Sequence, residues 1–443
     1  MNLWSWYIFS RDKFKGEVFN HVYSTTSNSG SFSHGFVFSA FVNPKLKIYA
    51  KGVEVFNEEL DSSNFSVDLS FNTDNEELEF HFYASNIDTY AGILNFNEKD
   101  LTYLNVSFFK SLIGLYCDKN SLKSIFTNKT LSVMSCDYNQ IESLDVSEIP
   151  TLVVLNCNYN NLRSLILNDQ LTIIACVGNE LTSLDVSKCA GLINLRCSAN
   201  KLTSLDVSLN EKLTNLDCYK NNIKSLELNE QMVNLVCHEN QIESLNIQNS
   251  LDLVRVVATQ NKLTSLDVSL NKKLTDLRFS YNEISNIDVS QNIELTTLYC
   301  EKTKLLSLDV SKNTELLYLY CASSLFPSVD LSQNKKLVNF DCRRSFFTVL
   351  NISENADLVN LNCSNNLISS LDVSQNKKLL RFQCNNNKLR SLNVANGKNK
   401  SLALFQAEEN PDLTCIQVDD ETFTPPTGWS KSATATYSNA CPI

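Results

Sequence analysis

The chain has 443 residues, with 49 acidic against 38 basic side chains and a net charge of −11. Hydrophobic residues make up 43% of the chain, which suits a folded core, but no run of eighteen apolar residues could span a bilayer. The charge balance also argues against nucleic-acid binding, because the sequence has no basic stripe to neutralise phosphates.

The first ninety residues alternate apolar and polar side chains with a period of two. The alternation is clearest in HGFVFSAFV at 34–42, LKIYAKGVEVF at 46–56, NFSVDLSF at 64–71 and LEFHFYA at 78–84. Clusters of Ser, Asn, Asp and Gly separate these segments, so residues 1–90 are predicted to form a small antiparallel β-sandwich. This domain would serve as a cap, or else as a mount or oligomerisation module, since ninety residues exceed what a cap needs.

Cysteines recur at intervals of 19 or 21 residues along most of the remaining chain. They are Cys117, Cys136, Cys157, Cys176, Cys197, Cys218, Cys237, Cys300, Cys321, Cys342, Cys363 and Cys384. Ala258 and Phe279 keep the register between the two runs, and Phe96 and Ala407 extend it to sixteen coils. Such self-similarity predicts a solenoid. Because Ala and Phe can replace it, the cysteine is interpreted as filling a small apolar slot.

The repeat pattern is LxxLxCxxNxLxxLDVSxNxx, as in LVNLNCSNNLISSLDVSQNKK at 358–378. In LxxLxC the second Leu and the Cys are two residues apart, so both point inward from one short strand and their neighbours point outward. The Asn three places after the Cys falls at a turn, where its amide can bond backbone groups. Stacked coils would align Asn120, Asn139, Asn160, Asn179, Asn200, Asn221, Asn240, Asn261, Asn282, Asn366 and Asn387.

These motifs resemble the leucine-rich repeat, and most closely the short bacterial type with a 21-residue nested consensus, as in Bacteroidota bacteria and their phages. The resemblance covers residues 91–418. It implies a mainly β fold: a leucine-rich-repeat solenoid of about sixteen short coils with a parallel sheet, preceded by the sandwich domain.

Residues 419–443 leave the repeat and are predicted to form a C-terminal cap. The segment around Asn410 and Cys415, with Cys441 beyond it, resembles the closing segment of Bacteroidota leucine-rich-repeat proteins. This resemblance suggests a Cys415–Cys441 disulfide, with two separate thiols as the alternative. Cys189 takes the place of the usual return-turn Asn, and we expect it to be partly buried and the one candidate reactive thiol.

The sequence predicts no enzyme. His21, His34, His81 and His238 are scattered, and the sequence has no recognisable catalytic grouping. His238 follows Cys237 directly, and adjacent strand residues point to opposite faces. No metal or other cofactor is expected either. The LDVS halves align Asp185, Asp206, Asp267, Asp288, Asp309 and Asp330, but Asn interrupts this column and lysines flank it. It is interpreted as a solvated face with local hydrogen bonds.

The outward strand positions change character along the chain. Early coils carry modest residues such as Asn156, Asn158 and Ala175, with Tyr116 and Arg196 as exceptions. Later coils carry Tyr and Arg, the residue types that dominate interface hot spots. In the same coils the Asn column lapses to Thr303, Ser324 and Ser345. The predicted ligand-binding residues are Arg255, Arg278, Tyr299, Tyr318, Tyr320, Asp341 and Arg343.

Two functions remain open. The first is adhesion or receptor binding on a virion or bacterial surface, with a protein or surface glycan as ligand and assembly through the N-terminal domain. The second is an intracellular protein-interaction scaffold. The first residues, MNLWSWYIFS, lack the basic region of a signal peptide. Three locations are therefore possible: a virion, the cytoplasm, or a cell surface that the protein reaches after a leader is removed.

Overall fold

The computed structural model describes residues 92–98, 101–107, 109, 111–422 and 424–441, together with the backbone of six strands between residues 20 and 84. The chain divides into two compact units, Met1–Leu202 and Thr203–Ile443. The fold is mainly β, a solenoid of about sixteen turns with parallel strands, which confirms the predicted fold class. In the part of the chain that the structure describes, no helix has the length and hydropathy needed to cross a membrane.

The N-terminal strands pair antiparallel. They are Asn20–Thr26, Gly30–Ser39, Lys45–Ala50, Val53–Glu59, Phe65–Thr73 and Leu78–Ala84. The first pairs with the sixth, the sixth with the third, the third with the fourth, and the second with the fifth. Their side chains, including those of His21, His34 and His81, lie outside the described residues, as does the whole of 1–19. Face-to-face packing into a sandwich therefore stays a prediction.

Two of these strands also pair with the first coil of the solenoid. Gly30–Ser39 lies antiparallel to Ile93–Asn95, and Asn20–Thr26 lies antiparallel to Leu101–Asn105. The N-terminal backbone thus covers the edges of both strand columns of that coil, and open strand edges are where sheets aggregate. This pairing is what a cap provides. The roles as mount or oligomerisation module stay predictions.

In the first unit, each LxxLxC motif forms a three-residue strand that pairs in parallel with the next. These strands are Ile93–Asn95, Gly114–Tyr116, Val133–Ser135, Val154–Asn156, Ile173–Ala175 and Asn194–Arg196. The second halves of the coils form Leu101–Asn105, Ile125–Phe126, Ser143–Asp145 and Ser164–Ile166.

The second unit repeats this arrangement. Its LxxLxC strands, or their equivalents, are Asn215–Asp217, Asn234–Val236, Arg255–Val257, Asp276–Arg278, Thr297–Tyr299, Tyr318–Tyr320, Asn339–Asp341, Asn360–Asn362, Arg381–Gln383, Leu404–Ala407 and Trp429–Lys431. Its second-half strands are Ser204–Asp206, Ser225–Glu227, Ser370–Asp372, Ser391–Asn393, Cys415–Gln417 and Thr436–Ser438. One 3-10 turn, Asn399–Ser401, is described beside them.

The core is built from columns of side chains that occupy the same position in successive coils. All twelve ladder cysteines have no exposed surface, nor do the Ala258 and Phe279 that replace them. Burial raises the thiol pKa, to about 12 for Cys176 and Cys237. The small-apolar-slot interpretation is therefore confirmed.

The asparagine column bonds one coil to the next. Asn261 donates from Nδ2 to the carbonyls of Ala258 (3.1 Å) and Cys237 (3.0 Å), and its Oδ1 accepts the N–H of Ile242 (3.0 Å). The predicted role of these side chains is confirmed, and Asn410 extends the column in the same way.

A second asparagine column, in the DVSxN turn, was missed as a ladder in the sequence. Asn313 donates to the carbonyls of Val289 (3.0 Å) and Asn292 (2.8 Å), and this pattern recurs through the unit. The members with no exposed surface and the same pair of bonds are Asn271, Asn292, Asn313, Asn334, Asn355 and Asn376.

The prediction for Cys189 was wrong. Its side chain has no exposed surface, its Sγ donates to the carbonyl of Asn168 at 3.2 Å, and burial raises its pKa to about 11. A thiol can replace the return-turn Asn because it too reaches a carbonyl of the preceding coil. It is therefore no candidate for a reactive thiol.

The C-terminal segment continues the stacking in altered form. Trp429–Lys431 and Thr436–Ser438 pair in parallel with the strands of the preceding coil. Trp429 donates from Nε1 to the carbonyl of Leu402 at 2.7 Å. Cys415 and Cys441 form a disulfide, which settles the alternative left open by the sequence. These contacts close the last coil.

The burial of thiols predicts slow labelling. In native protein treated with a small thiol reagent, we expect the thirteen cysteines outside the disulfide to react only after unfolding, because each is buried. Rapid labelling of most of them without denaturant would contradict the structure.

The raised thiol pKa values predict alkaline instability. Unfolded thiols ionise at about pH 8.5, whereas the folded thiols of Cys176 and Cys237 hold their protons to about pH 12. The stabilisation that comes from these protonated thiols is therefore fully present below about pH 8.5 and declines as pH rises above that value. The free energy of unfolding in urea should fall more steeply between about pH 8 and pH 10 for the wild type than for Cys176→Ala with Cys237→Ala. Equal pH slopes for the wild type and the double variant would contradict the prediction.

Loss of one ladder side chain should be costly. Asn261→Ala removes three hydrogen bonds and leaves the N–H of Ile242 without its partner, which predicts a loss of about 3 kcal/mol in urea unfolding. The control Asn249→Ala, at an exposed turn position, should cost less than about 0.5 kcal/mol. Similar losses for both variants would contradict the ladder role.

Candidate functional site

Six of the seven predicted site residues lie in consecutive strands of the second unit, and Arg343 follows the last of these strands. We call Arg255, Arg278, Tyr299, Tyr318, Tyr320, Asp341 and Arg343 the tyrosine–arginine patch. Sheet register places four of them side by side in the position before the ladder cysteine, in the order Arg278, Tyr299, Tyr320 and Asp341. The parallel register thus brings together residues that the sequence separates by 21.

One end of the patch is basic. Asp276 lies between two arginines and accepts from Nε of Arg278 (2.7 Å) and Nε of Arg255 (3.2 Å). The Arg278 guanidinium also lies 4.6 Å from the centre of the Tyr299 ring. Two cations share one carboxylate, so this end keeps a net positive charge. Sequence reasoning missed Asp276, although its outward position in the strand was a usable signal.

The centre of the patch is a pair of tyrosines. The ring centroids of Tyr299 and Tyr320 are 4.3 Å apart, with planes tilted by 44°. The pKa of Tyr320 is raised to about 12, mainly because the side chain is partly buried and in addition because Tyr299 lies beside it. Tyr318 lies in another column, beside Thr297 and Asn339 in register, and about a third of it is exposed. The pair offers a preorganised aromatic surface.

The other end of the patch is acidic. Asp341 is almost fully buried, and its carboxylate forms an ion pair with Nε of Arg343 (3.3 Å) and accepts the backbone N–H of Arg343 (3.1 Å). Burial raises the pKa of Asp341. The pKa of Glu301, which sequence reasoning missed, is raised by burial and then by repulsion from Asp341. Two carboxylates face one guanidinium here, so this end is negative.

The aspartate column behaves as the sequence indicated. In the LDVS halves, Asp267 accepts the N–H (2.9 Å) and the hydroxyl (2.7 Å) of Ser269, and these bonds lower its pKa. Within the described residues no group of three or more His, Cys, Asp or Glu is arranged to hold a metal ion. His238 stacks on Tyr219 with ring centroids 4.5 Å apart.

A second aromatic feature, in the first unit, was missed. Tyr138 and Tyr159 stack with centroids 4.5 Å apart, and each is about half exposed. They occupy the left-handed turn position before the ladder Asn and not the strand, so the strand pattern of the sequence does not point to them. The Tyr159 ring continues over Gly178, where an added Cβ would lie 2.6 Å from Cδ1 of the ring.

On the strand face of the early coils, polar side chains hydrogen-bond to the backbone of the next coil. Asp137 accepts the N–H of Asn158 at 2.7 Å, and Asn158 in turn accepts the N–H of Val177 at 2.8 Å. These side chains support the backbone of the next coil. Removal of Asn158 would therefore disturb the fold and would make a poor control for a binding experiment.

Comparisons with known proteins identify this architecture. No family model and no curated protein matches the chain. Among solved structures, the chain is similar to the functional domain of InlJ from Listeria monocytogenes, which includes a cysteine ladder. The identity is 31%, over 78% of this chain and 76% of that one, with a TM-score of 0.70.

Two further structures share the fold at lower identity. YopM from Yersinia enterocolitica matches at 23% identity over 74% of this chain and 78% of that one, with a TM-score of 0.61. The plant peptide hormone receptor RGFR1, solved in complex with RGF2, matches at 16% identity over 71% of this chain and 64% of that one, with a TM-score of 0.55.

The 21-residue nested type and the Bacteroidota origin stay predictions. The cysteine and asparagine columns, the parallel strands and the likeness to InlJ nevertheless agree on the family. The chain belongs to the leucine-rich-repeat proteins.

Proposed function

We propose that this chain is a non-enzymatic recognition module that binds a protein or surface glycan through the tyrosine–arginine patch, in adhesion or receptor binding. Folds of this family are typically protein-interaction modules. The observation that carries the proposal is the Tyr299–Tyr320 pair, held between a basic and an acidic end on one outward face. Such a surface supplies both contact area and oriented charge.

The disulfide supports an extracellular or surface setting. Disulfides persist in oxidising compartments, and Cys415 and Cys441 are joined. The thirteen remaining thiols are buried and so protected from oxidation in the same compartment. The second candidate, an intracellular scaffold, draws support from that large number of thiols, which a reducing cytosol would preserve.

The binding test uses a triple variant. Tyr299→Ala, Tyr320→Ala and Arg278→Ala should weaken binding to immobilised glycans or envelope proteins by at least about thirtyfold, since hot-spot residues typically contribute about 2 kcal/mol each. Arg278 is preferred to Arg343 because Asp276 keeps Arg255 as its partner, whereas loss of Arg343 would leave Asp341 buried and unpaired. Surface plasmon resonance measures the affinity, and the melting temperature should shift by less than about 3 °C.

The control variant matches the same residue types in the first unit. Tyr138→Ala, Tyr159→Ala and Arg196→Ala remove two exposed tyrosines and one exposed arginine. This control should retain binding. If the control loses binding and the patch variant keeps it, the ligand site lies on the early coils and the proposal fails.

A further inference from the structure

An apolar strip crosses three consecutive coils of the second unit, outside the tyrosine–arginine patch. Leu325, Phe346 and Leu367 each directly follow the position of the ladder Asn, and they are 45%, 54% and 46% exposed. Neighbouring coils place a charged residue at the same position, such as Glu283, Lys304 and Lys388. Three exposed apolar side chains in register form a surface that water does not favour.

The strip overlaps the lapse of the asparagine column: Leu325 and Phe346 follow Ser324 and Ser345, whereas Leu367 follows Asn366. Thr303 and Ser345 still bond a cysteine carbonyl, at 2.9 Å from Cys300 and 3.4 Å from Cys321. Phe326 and Phe347 are buried against each other with centroids 5.6 Å apart, so these two phenylalanines belong to the core. Phe346 does not, because its ring points outward.

The backbone beneath the strip is also less bonded than elsewhere. At the equivalent position, Lys304, Leu367 and Lys388 donate their N–H to the preceding coil at 2.9–3.0 Å. Within the described residues, the N–H groups of Leu325 and Phe346 make no such bond. Two of the three strip positions thus lack a backbone bond between coils that the neighbouring coils have.

The rim of the strip is basic, although the whole chain carries a net charge of −11. Its exposed cations are Lys302, Lys304, Arg344, Lys388 and Arg390. Two of these are paired with a carboxylate, Lys304 with Glu283 and Arg390 with Asp412. Glu301 also lies beside Lys302. Five cations against three carboxylates leave an excess of two positive charges, so an acidic partner complements this surface.

The spacing of the strip fits a helix. Neighbouring strands are about 4.8 Å apart, so three coils place their side chains over about 10 Å. Apolar residues at i, i+3 or i+4, and i+7 of an α-helix span about 10.5 Å, whereas three successive same-face residues of a strand span about 13 Å. We propose that Leu325, Phe346 and Leu367 form a docking strip for an acidic amphipathic helix of a protein partner. This surface is independent of the tyrosine–arginine patch, so either can fail alone.

The test uses two synthetic helical peptides with leucine at i, i+3, i+4 and i+7. One carries glutamate and the other lysine at all remaining positions. Fluorescence anisotropy should show saturable binding of the glutamate peptide to the full chain, and binding of the lysine peptide at least tenfold weaker. Equal affinity for both peptides, or no binding of the glutamate peptide, would overturn the proposal.

Two variants locate the binding. Leu325→Ser, Phe346→Ser and Leu367→Ser should weaken binding of the glutamate peptide at least tenfold. The control Leu209→Ser, Leu251→Ser and Leu270→Ser, at leucines that are at least as exposed as Leu325 and Leu367, should not. Equal effects of the two variants would count against the strip. A melting temperature lowered by more than about 5 °C in the strip variant would also do so, because the side chains would then be packed.

Two other occupants are tested in parallel. Sedimentation velocity that shows a dimer lost in the strip variant would assign the surface to a second copy of this chain. Binding to phosphatidylserine vesicles that disappears in the strip variant would assign it to a membrane surface. Either result, without binding of the glutamate peptide, replaces the proposed partner.

Discussion

The hydrogen bonds from asparagine side chains to the backbone are the interaction on which the rest of this structure depends. Each coil must reverse direction within a few residues, and it does so with a left-handed residue immediately before the ladder Asn or the residue that replaces it. Fifteen of these left-handed residues, among those described, are not glycine, and eleven of the fifteen precede an Asn. A left-handed conformation costs about 1–2 kcal/mol per residue. A ladder Asn such as Asn261 offsets this cost with three bonds to the backbone of two coils, each contributing about 1 kcal/mol.

The apolar columns work together with this ladder. No single coil is large enough to bury its own leucines, so each depends on its neighbours, and the stability is a sum over adjacent pairs. The cysteine slot is narrow and dry, which explains why the thiols lose their acidity and why Ala258 can take the same position. The ends need other solutions. The N-terminal strands pair with the first coil, and the disulfide with Trp429 closes the last one.

A framework held from inside leaves the outward positions free to vary. The structure uses that freedom differently on its faces: charge and tyrosine on the strands, and exposed Leu and Phe beyond the turn. Both features include coils where the asparagine column gives way to Thr303, Ser324 and Ser345, although Arg255, Arg278 and Leu367 lie in coils that keep the ladder Asn. The internal ties are weaker there, and buried phenylalanine packing between Phe326 and Phe347 compensates. The altered surface and the local loss of the ladder thus overlap in part.

The sequence by itself determined the repeat, its register, the inward columns and the role of the first asparagine column, because all of these follow from periodicity and local geometry. It also located the strand face on which Tyr299 and Tyr320 lie. It did not determine the burial of Cys189, since a lone thiol in a turn gives no signal of whether a neighbouring coil covers it. Nor did it find Asp276 between its two arginines or the Tyr138–Tyr159 stack. Those pairings depend on side-chain direction across neighbouring coils, and only tertiary stacking sets that direction.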